Sequence, residues 1–514
     1  MEMVGKNKQL FINMIASFLT FLVGIGINFF LTPYIVRKLG VEAYGFVALS
    51  NNIINYTGLL TIALNAMASR FIAVKYQKGD LISACKYFSS VFYSNIILAG
   101  FITIILSVLV IELDFFLDIP QKIVPDVKLL FIFLSLTNIA YLLTGVYGVG
   151  TYIKNRLDLN SIRSIIANII RCVSLVSLFA FFAPHVWYVG LSGFLMTIYT
   201  VYTNIKLTKK LTPELKFQKR NFEWIKVKEL LISGSWNLII KLGEILGNGL
   251  DLLFANLFIG PVAMGIFSIS KSMPLMIQSM MGSFSGVFGP QLLQAYTKGT
   301  KEELVSEFKK SIRILSFLAG IPLVLLFTLG KEFYTLWMPT QDSSWLYTLT
   351  LVGSMSLAIS LPSEGLWNIF TIVNKVKYAS CAVLLNNGLT FIVIFSSMFF
   401  VESLDARLII LACTKSILKI ILSLTFLPIA SAKCMNVRKS LLYPTLVRGM
   451  LCIIISVIVC KILSIYIIIN GWLSLIAVSS VFVVITLMVS SCIILQNEDR
   501  KFIKIKILKR KSNG

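Results

Sequence analysis

Charged residues are scarce in this chain. Only 14% of its 514 residues are Asp, Glu, Lys or Arg, where a soluble globular domain carries about 25%. That shortage excludes an ordinary water-soluble fold. With 57% hydrophobic residues and a mean hydropathy of +0.85, there is more apolar surface than a water-facing protein can enclose. Histidine is rarer still: His185 is the only one, and it follows Pro184 with no Cys or acid beside it in sequence. One imidazole cannot build a metal site. The eight cysteines are scattered, with no C-x-x-C pair, and read as small packing residues. A Gly-rich phosphate loop of the Walker type is missing, which argues against nucleotide-driven work by this chain. No metal, no cofactor and no catalytic residue set is expected, and the protein does not read as an enzyme.

What the chain has instead is long apolar runs. A bilayer core takes about 20 such residues per helix. By that ruler about fourteen spans are expected, near 10–35, 41–66, 87–111, 128–150, 161–183, 186–205, 230–258, 262–290, 312–332, 345–372, 379–401, 406–430, 444–468 and 472–495. The first is too long for a signal peptide and lacks a small-residue cleavage site, so it reads as a retained span. The fold class expected is therefore an all-α integral membrane protein.

The formal net charge is +24. The cations sit in short loops between spans, which fits the positive-inside rule better than nucleic-acid binding. With the amino terminus placed in the cytoplasm, thirty-four of the 47 Lys and Arg fall on the inside and six on the outside. Both termini are expected to be cytoplasmic, in a bacterial inner membrane. The longest outside segment, 112–127, is short and acidic, so it leaves no room for a folded catalytic domain.

The sequence also repeats at an offset of 220. Leu39-Gly40-Val41-Glu42-Ala43-Tyr44-Gly45 aligns with Ile259-Gly260-Pro261-Val262-Ala263-Met264-Gly265, and Leu98-Ala99-Gly100 with Leu318-Ala319-Gly320. The shift carries span 1 onto span 7, an even step, so the halves are expected to be parallel repeats. The expected organisation is an amino-terminal lobe at 1–205 and a basic cytoplasmic linker at 206–229. A second lobe at 230–430, two extra helices at 431–495 and a basic tail at 496–514 complete it. The linker carries eight Lys/Arg and is expected to lie on anionic headgroups.

Span 7 is the richest in polar residues. Asn237, Lys241, Glu244, Asn248 and Asp251 recur at spacings of 4, 3, 4 and 3, one face of a regular helix. A charge near the bilayer centre costs several kcal/mol, so such a face meets protein or water. Span 1 has a milder stripe that includes Asn28. Span 8 adds Lys271, with Gln278 and Ser279 further along. Three readings stand for these charges: Lys241–Glu244 and Asp251–Lys271 as neutralised packing pairs, Glu244 or Asp251 as an ion-coupling carboxylate, or direct substrate contact. Further intramembrane charges are Arg171, Glu364, Lys415, Lys419, Arg448 and Lys461. Lys415 and Lys419 share a helix face, whereas Arg448 and Lys461 lie where they can snorkel. Seven intramembrane cations against three acids favour an anionic substrate.

Two segments then carry a resemblance. Leu31-Thr32-Pro33-Tyr34-Ile35-Val36-Arg37-Lys38-Leu39-Gly40-Val41-Glu42-Ala43-Tyr44-Gly45 comes after the opening span, and span 2 ends in Asn65-Ala66-Met67-Ala68-Ser69-Arg70-Phe71. Together they resemble the start of bacterial polysaccharide repeat-unit flippases, the Wzx-type O-antigen and capsule transporters. These belong to the multidrug/oligosaccharidyl-lipid/polysaccharide exporter superfamily. The resemblance implies a MATE-like fold of two six-helix lobes plus two helices, alternating between inward- and outward-open states. It implies an undecaprenyl-pyrophosphate-linked glycan as substrate, H⁺ or Na⁺ as coupling ion, and polysaccharide polymerase and chain-length proteins as partners. No nucleic acid is implied, and the family has no catalytic residues to carry over. On the charge reading of the spans, the cationic cavity would be Arg171, Lys241, Lys271, Lys415 and Lys419 with Asn28 and Asn248.

The rivals differ in checkable ways. Drug exporters of the same superfamily usually have twelve spans and an acid in the first helix, and span 1 has none. A lipid II flippase shares fourteen spans but typically places arginines in its first helices, and span 1 lacks them in its core. A membrane polymerase or ligase needs a sizeable outside loop, which is missing here.

Overall fold

The structure, a computed structural model, describes residues 2–494 apart from Gly299 and Asn374. The basic tail expected at 496–514 lies outside the described residues. Helices carry nearly the whole chain, and no strand occurs among the described residues. Among the described residues, ten helices are long and apolar enough to cross a membrane, or eleven if a pair bent by 41° at 343–372 is one span. The segments expected as spans at 186–205, 230–258 and 262–290 are helical too, the second interrupted at Ile245–Gly249, and fall outside that count. This is a multi-pass membrane protein. Side chains such as Phe181, Phe400 and Leu473, each more than 80% exposed, face outward because their solvent is lipid.

The chain forms two compact units that divide between Ile266 and Phe267. The first holds α1 (Glu2–Leu39), α2 (Val41–Tyr56), α3 (Gly58–Gln77), α4 (Leu81–Ile111), α5 (Val124–Thr144), α6 (Leu157–Phe181), α7 (Trp187–Leu211), α8 (Trp224–Glu244) and α9 (Asp251–Phe258). It also takes the start of α10 (Pro261–Lys298). The division thus falls beyond the linker: α8, next in the chain after it, packs along α3. Small residues permit this, as they do wherever helices meet in lipid without a hydrophobic drive. A methyl group on Gly234 would lie only 1.9 Å from the Ala63 carbonyl oxygen. Gly45 and Gly265, 220 residues apart, meet in the same way: a methyl on Gly45 would stand 2.9 Å from the Gly265 Cα. The turns before them match as well, since Gly40 (φ 88°) and Gly260 (φ 127°) both take the left-handed region that favours glycine.

The linker is fixed to α4. Lys86 pairs with Glu223 at 2.6 Å. Ser90 Oγ accepts from the Glu223 N–H at 3.0 Å, and Phe217 stacks on Phe92 at 4.6 Å. Asp80 caps α4, its carboxylate accepting the Ser83 N–H at 3.0 Å.

The second unit continues α10 and is built around α11 (Lys301–Trp337). Phe308, Ile312, Leu315, Ala319 and Leu323 recur at three and four residues along α11, and all are buried. Around it stand α12 (Ser343–Ser354), α13 (Leu357–Ser363), α14 (Val376–Phe400), α15 (Leu404–Leu424), α16 (Phe426–Cys434), α17 (Tyr443–Ser464) and α18 (Trp472–Ile493). α17 reaches α11 closely because Gly449 leaves room for Ser316, whose Oγ would lie 2.3 Å from an added methyl. The eight cysteines are all free, with Cys452 and Cys460 buried.

Candidate functional site

In the first unit, α6 presents opposite chemistries on its two sides. Ile162, Ile166, Ile169, Val173 and Val176 are exposed and lie on the lipid side. Asn160, Arg163, Ser164, Asn168 and Arg171 fall on the other side, within an arc of about 140° at 100° per residue. This is the reverse of a soluble helix, as expected where lipid is the solvent. The inward face meets α1, where buried Asn13 accepts from the Asp158 N–H at 3.0 Å and donates to the Asn155 carbonyl at 2.9 Å. Arg163 lies deeper. Its Nε and Nη1 are buried and make no hydrogen bond, and the titratable groups facing it are the phenols of Tyr141 and Tyr199. Arg171, half-buried a little over two turns on, faces Tyr44 and Cys172.

Beside Tyr141 opens a cavity of about 270 Å³ between α3 and α5. Thr61, Asn65, Ser69, Asn138 and Tyr141 supply its polar lining, and no carboxylate lines it. Asn65 and Asn95 exchange amide hydrogen bonds of 3.1 and 3.0 Å. Thr57 Oγ1 donates to the Ile54 carbonyl at 2.7 Å and lies 3.1 Å from Asn138 Oδ1.

The expected stripe of span 7 is only partly continuous. A π-helical turn at Ile245–Gly249 breaks the helix between α8 and α9, and its wider winding rotates the residues beyond it off the original face. Glu244, ahead of the break, is exposed and pairs with Lys241 at 3.5 Å. Asp251, after it, is 5% exposed. The freed Gly249 carbonyl accepts from Tyr56 Oη at 2.6 Å and from Asn52 at 3.4 Å. Lys241 lies against α3, its Cε 3.6 Å from the position of a methyl on Gly58. The Asn248 side chain lies outside what the structure describes. Asn28 is exposed and donates to its own helix at Gly24.

In the second unit the interior charges gather at another break. Pro362 and a 3₁₀ turn at Glu364–Trp367 interrupt the helix after α13. There Glu364 faces Lys419 of α15, whose Nζ lies 3.5 Å from Gln278 Oε1 of α10. Lys415 is half-buried one turn earlier on the same helix. Lys271, in the second unit, sits over the Phe267 ring at 5.5 Å. Arg448 and Lys461 are exposed.

Residues 10–295 match the profile of a family described as polysaccharide biosynthesis protein. The chain belongs to that family. It is 27% identical over 466 residues to the uncharacterized membrane protein EpsK of Bacillus subtilis (strain 168), covering 91% of this chain and 92% of that one. Among solved structures, the family member shares its fold with the lipid II flippase MurJ in an inward closed conformation. The TM-score is 0.68 at 13% identity, over 96% of this chain and 99% of MurJ. An inward-facing multidrug resistance MATE transporter of the MOP superfamily gives 0.59 at 14% identity, over 83% of this chain and 98% of its own. The expected exporter-superfamily fold and the resemblance to polysaccharide flippases are both supported by these matches.

Two features went unseen in the sequence. Arg163 counts as a loop cation when only hydropathy is read, because Lys154 and Arg156 precede it. Its spacing with Asn160, Ser164, Asn168 and Arg171 was the available signal. His185, isolated in sequence, stands 3.0 Å from Asp126 of α5, whose carboxylate also accepts the Val186 N–H. Chain separation hid that contact.

Proposed function

We propose that this protein is a flippase of the bacterial inner membrane, carrying a lipid-linked oligosaccharide repeat unit from the cytoplasmic to the outer face by alternating access. Its product would feed capsule, O-antigen or exopolysaccharide synthesis. The observation that carries this reading is coverage: 96% of the chain matches the lipid II flippase, against 83% for the MATE transporter. The difference is the size of one helical hairpin, such as α17 with α18. A substrate with a lipid tail gives such a hairpin a use that a drug does not.

Within this reading the glycan and diphosphate travel through protein while the polyprenyl tail stays in lipid. Lys241, Lys271, Lys415, Lys419 and Arg171, with Asn28 and Asn248, would supply a cationic and polar route. Glu244 or Asp251 would exchange H⁺ or Na⁺ and bias the two states. Asp251 is favoured by its burial beside Tyr56, whereas Glu244 is exposed and already paired. Both termini would be cytoplasmic. Partners would be the undecaprenyl-pyrophosphate-linked glycan, a polymerase and chain-length proteins.

The test is the sidedness of lipid-linked sugar in a strain that lacks the gene and any redundant flippase. Accumulation of a complete undecaprenyl-linked unit on the cytoplasmic face of spheroplasts is expected. Normal amount and sidedness would overturn the flippase reading and favour a drug or metabolite exporter.

A further inference from the structure

We infer that the cavity between α3 and α5 is a binding site for an uncharged acetamido sugar, a single N-acetylated residue of the glycan. This deepens the flippase reading and rests on it for how the sugar arrives.

The lining decides the chemistry. No charged side chain lines the cavity, so it has nothing to neutralise a phosphate, a uronic acid or a metal ion. It is not an apolar pocket either. Asn65 and Asn138 supply two amides, and Thr61, Ser69 and Tyr141 three hydroxyls. Neutral groups that both donate and accept suit a neutral ligand that does the same. The volume is about 270 Å³, just short of the roughly 300 Å³ at which pockets for drug-sized ligands begin. One sugar ring fits that scale, and an oligosaccharide does not.

Hydrogen bonds then show which groups wait for a partner. Polar side chains that only tie membrane helices together satisfy each other, as Asn65 and Asn95 of α4 do. Asn65 spends both amide hydrogens, on the Thr61 carbonyl and on Asn95, and keeps one lone pair on Oδ1. Asn138 differs. Thr57 stands at one end of its amide, and the other end has no partner among the described residues. The hydroxyls of Ser69 and Tyr141 have none there either. Hydrogen bonds left unmade at membrane depth are costly, which marks these three as groups that a visitor completes.

An acetamido group completes them. It carries one N–H, one carbonyl and one methyl. The two asparagines offer an acceptor and a donor for the first pair, and Ala68, Leu142 and Val146 give the methyl an apolar wall. Tyr141, 37% exposed, presents an aromatic face to the sugar ring and a hydroxyl beyond it. A plain hexose would put a hydroxyl where that wall wants a methyl.

The full chain is reconstituted in phosphatidylcholine nanodiscs, and saturation-transfer NMR reads the weak binding of single sugars. The probes are N-acetylglucosamine and N-acetylgalactosamine, set against glucose, galactose and glucuronate. An acetamido sugar should bind about tenfold tighter than its parent hexose, the factor that one net hydrogen bond supplies. Transfer should be strongest to the acetamido methyl, and glucuronate should not compete. Asn138→Leu should erase the preference, and Ser69→Met, which fills the cavity, should abolish binding. Arg448→Gln, which removes an exposed cation on α17, should change neither. Melting temperatures and size-exclusion profiles check folding; should Asn138→Leu fail to fold, Ser69→Met carries the decision. No saturable binding, equal affinity for acetamido and parent sugars, competition by glucuronate, or wild-type behaviour in the folded variants would overturn the inference. Cytoplasmic accumulation of the lipid-linked unit in the deletion strain, without any acetamido preference in the nanodiscs, would sink this inference and leave the flippase reading standing. The preference without the accumulation would keep the site and remove the flippase reading.

Discussion

Replacing Gly234 by alanine tests the closest helix approach in the first unit. The new methyl would start 1.9 Å from the Ala63 carbonyl oxygen and 2.7 Å from its carbonyl carbon. Both are backbone atoms, so no side chain can swing aside. To reach even a tight contact of about 3 Å, α8 must withdraw from α3 by roughly 1 Å along its packed length. Overpacking of this kind costs about 1–3 kcal/mol. For a unit of this size that corresponds to a melting shift of roughly 3–10 °C downward. Gly193→Ala, in the interior of α7, is the matched control, because nothing lies within 4 Å of its added methyl. There helix propensity alone should act, a gain of about 0.5–1 kcal/mol. Cys85 and Cys172, both half-buried in the first unit, allow its unfolding to be tracked with a thiol-reactive fluorophore in detergent. Gly234→Ala melting with the wild type, or both variants shifting alike, would refute the close packing of α8 on α3. Because Lys241 rides on α8 beside Gly58, transport should fall with the same substitution.

Tyr56→Phe removes the 2.6 Å bond to the Gly249 carbonyl at the π turn. A loss of about 1 kcal/mol is expected, seen as a lower midpoint in chemical unfolding; no change would mean that Asn52 or water holds that carbonyl. Glu364→Gln and Lys419→Met should each destabilise the second unit by on the order of 3 kcal/mol, since each strands a charge in the interior. The double variant should recover much of the loss, and strict additivity in the same melts would show that the two do not interact. Asp80→Asn addresses pH. The Ser83 N–H, with help from Lys75, holds the Asp80 carboxyl below its ordinary 3.8. Its stabilisation is therefore full above 3.8 and is lost as pH falls through the lowered folded value. The gap in melting temperature between wild type and variant should be constant at neutral pH and close below about pH 4; a gap that varies only at higher pH would contradict the cap.

Hydropathy carries the class of this fold without ambiguity, because about twenty apolar residues in a row have one physical use. The more polar segments expected as spans at 186–205, 230–258 and 262–290 are helical as well, although they fall outside the apolar count. The repeat was legible in detail: the equivalence of Gly40 with Gly260 rests on a local conformation that almost only glycine adopts, so sequence and backbone agree there. The break at Pro362 could be read from its proline, whereas the π turn of span 7 was hidden by the regular spacing of its polar residues. Asn237 to Asp251 fit a single face at about 3.6 residues per turn, and nothing in those letters signals that Ile245–Gly249 winds more widely. Lys419 and Glu364, far apart in sequence, face each other. Arg163 was hidden by its cationic neighbours, because a window that averages hydropathy cannot say which side of a helix an arginine occupies.

The packing of α8 on α3 has a consequence for how the protein is made. Ala63 leaves the ribosome long before Gly234, by on the order of 10–30 s at ordinary elongation rates. Throughout that interval the α3 surface that α8 will cover faces lipid or the insertion machinery. The basic linker is synthesised in between, and its anchorage to α4 through Lys86 and Glu223 can form before α8 exists in full. A run of cations already pinned at one membrane surface would then fix the sidedness of α8 as it enters. Assembly of the first unit is in this sense a timed event, completed by a helix that follows the linker in the chain.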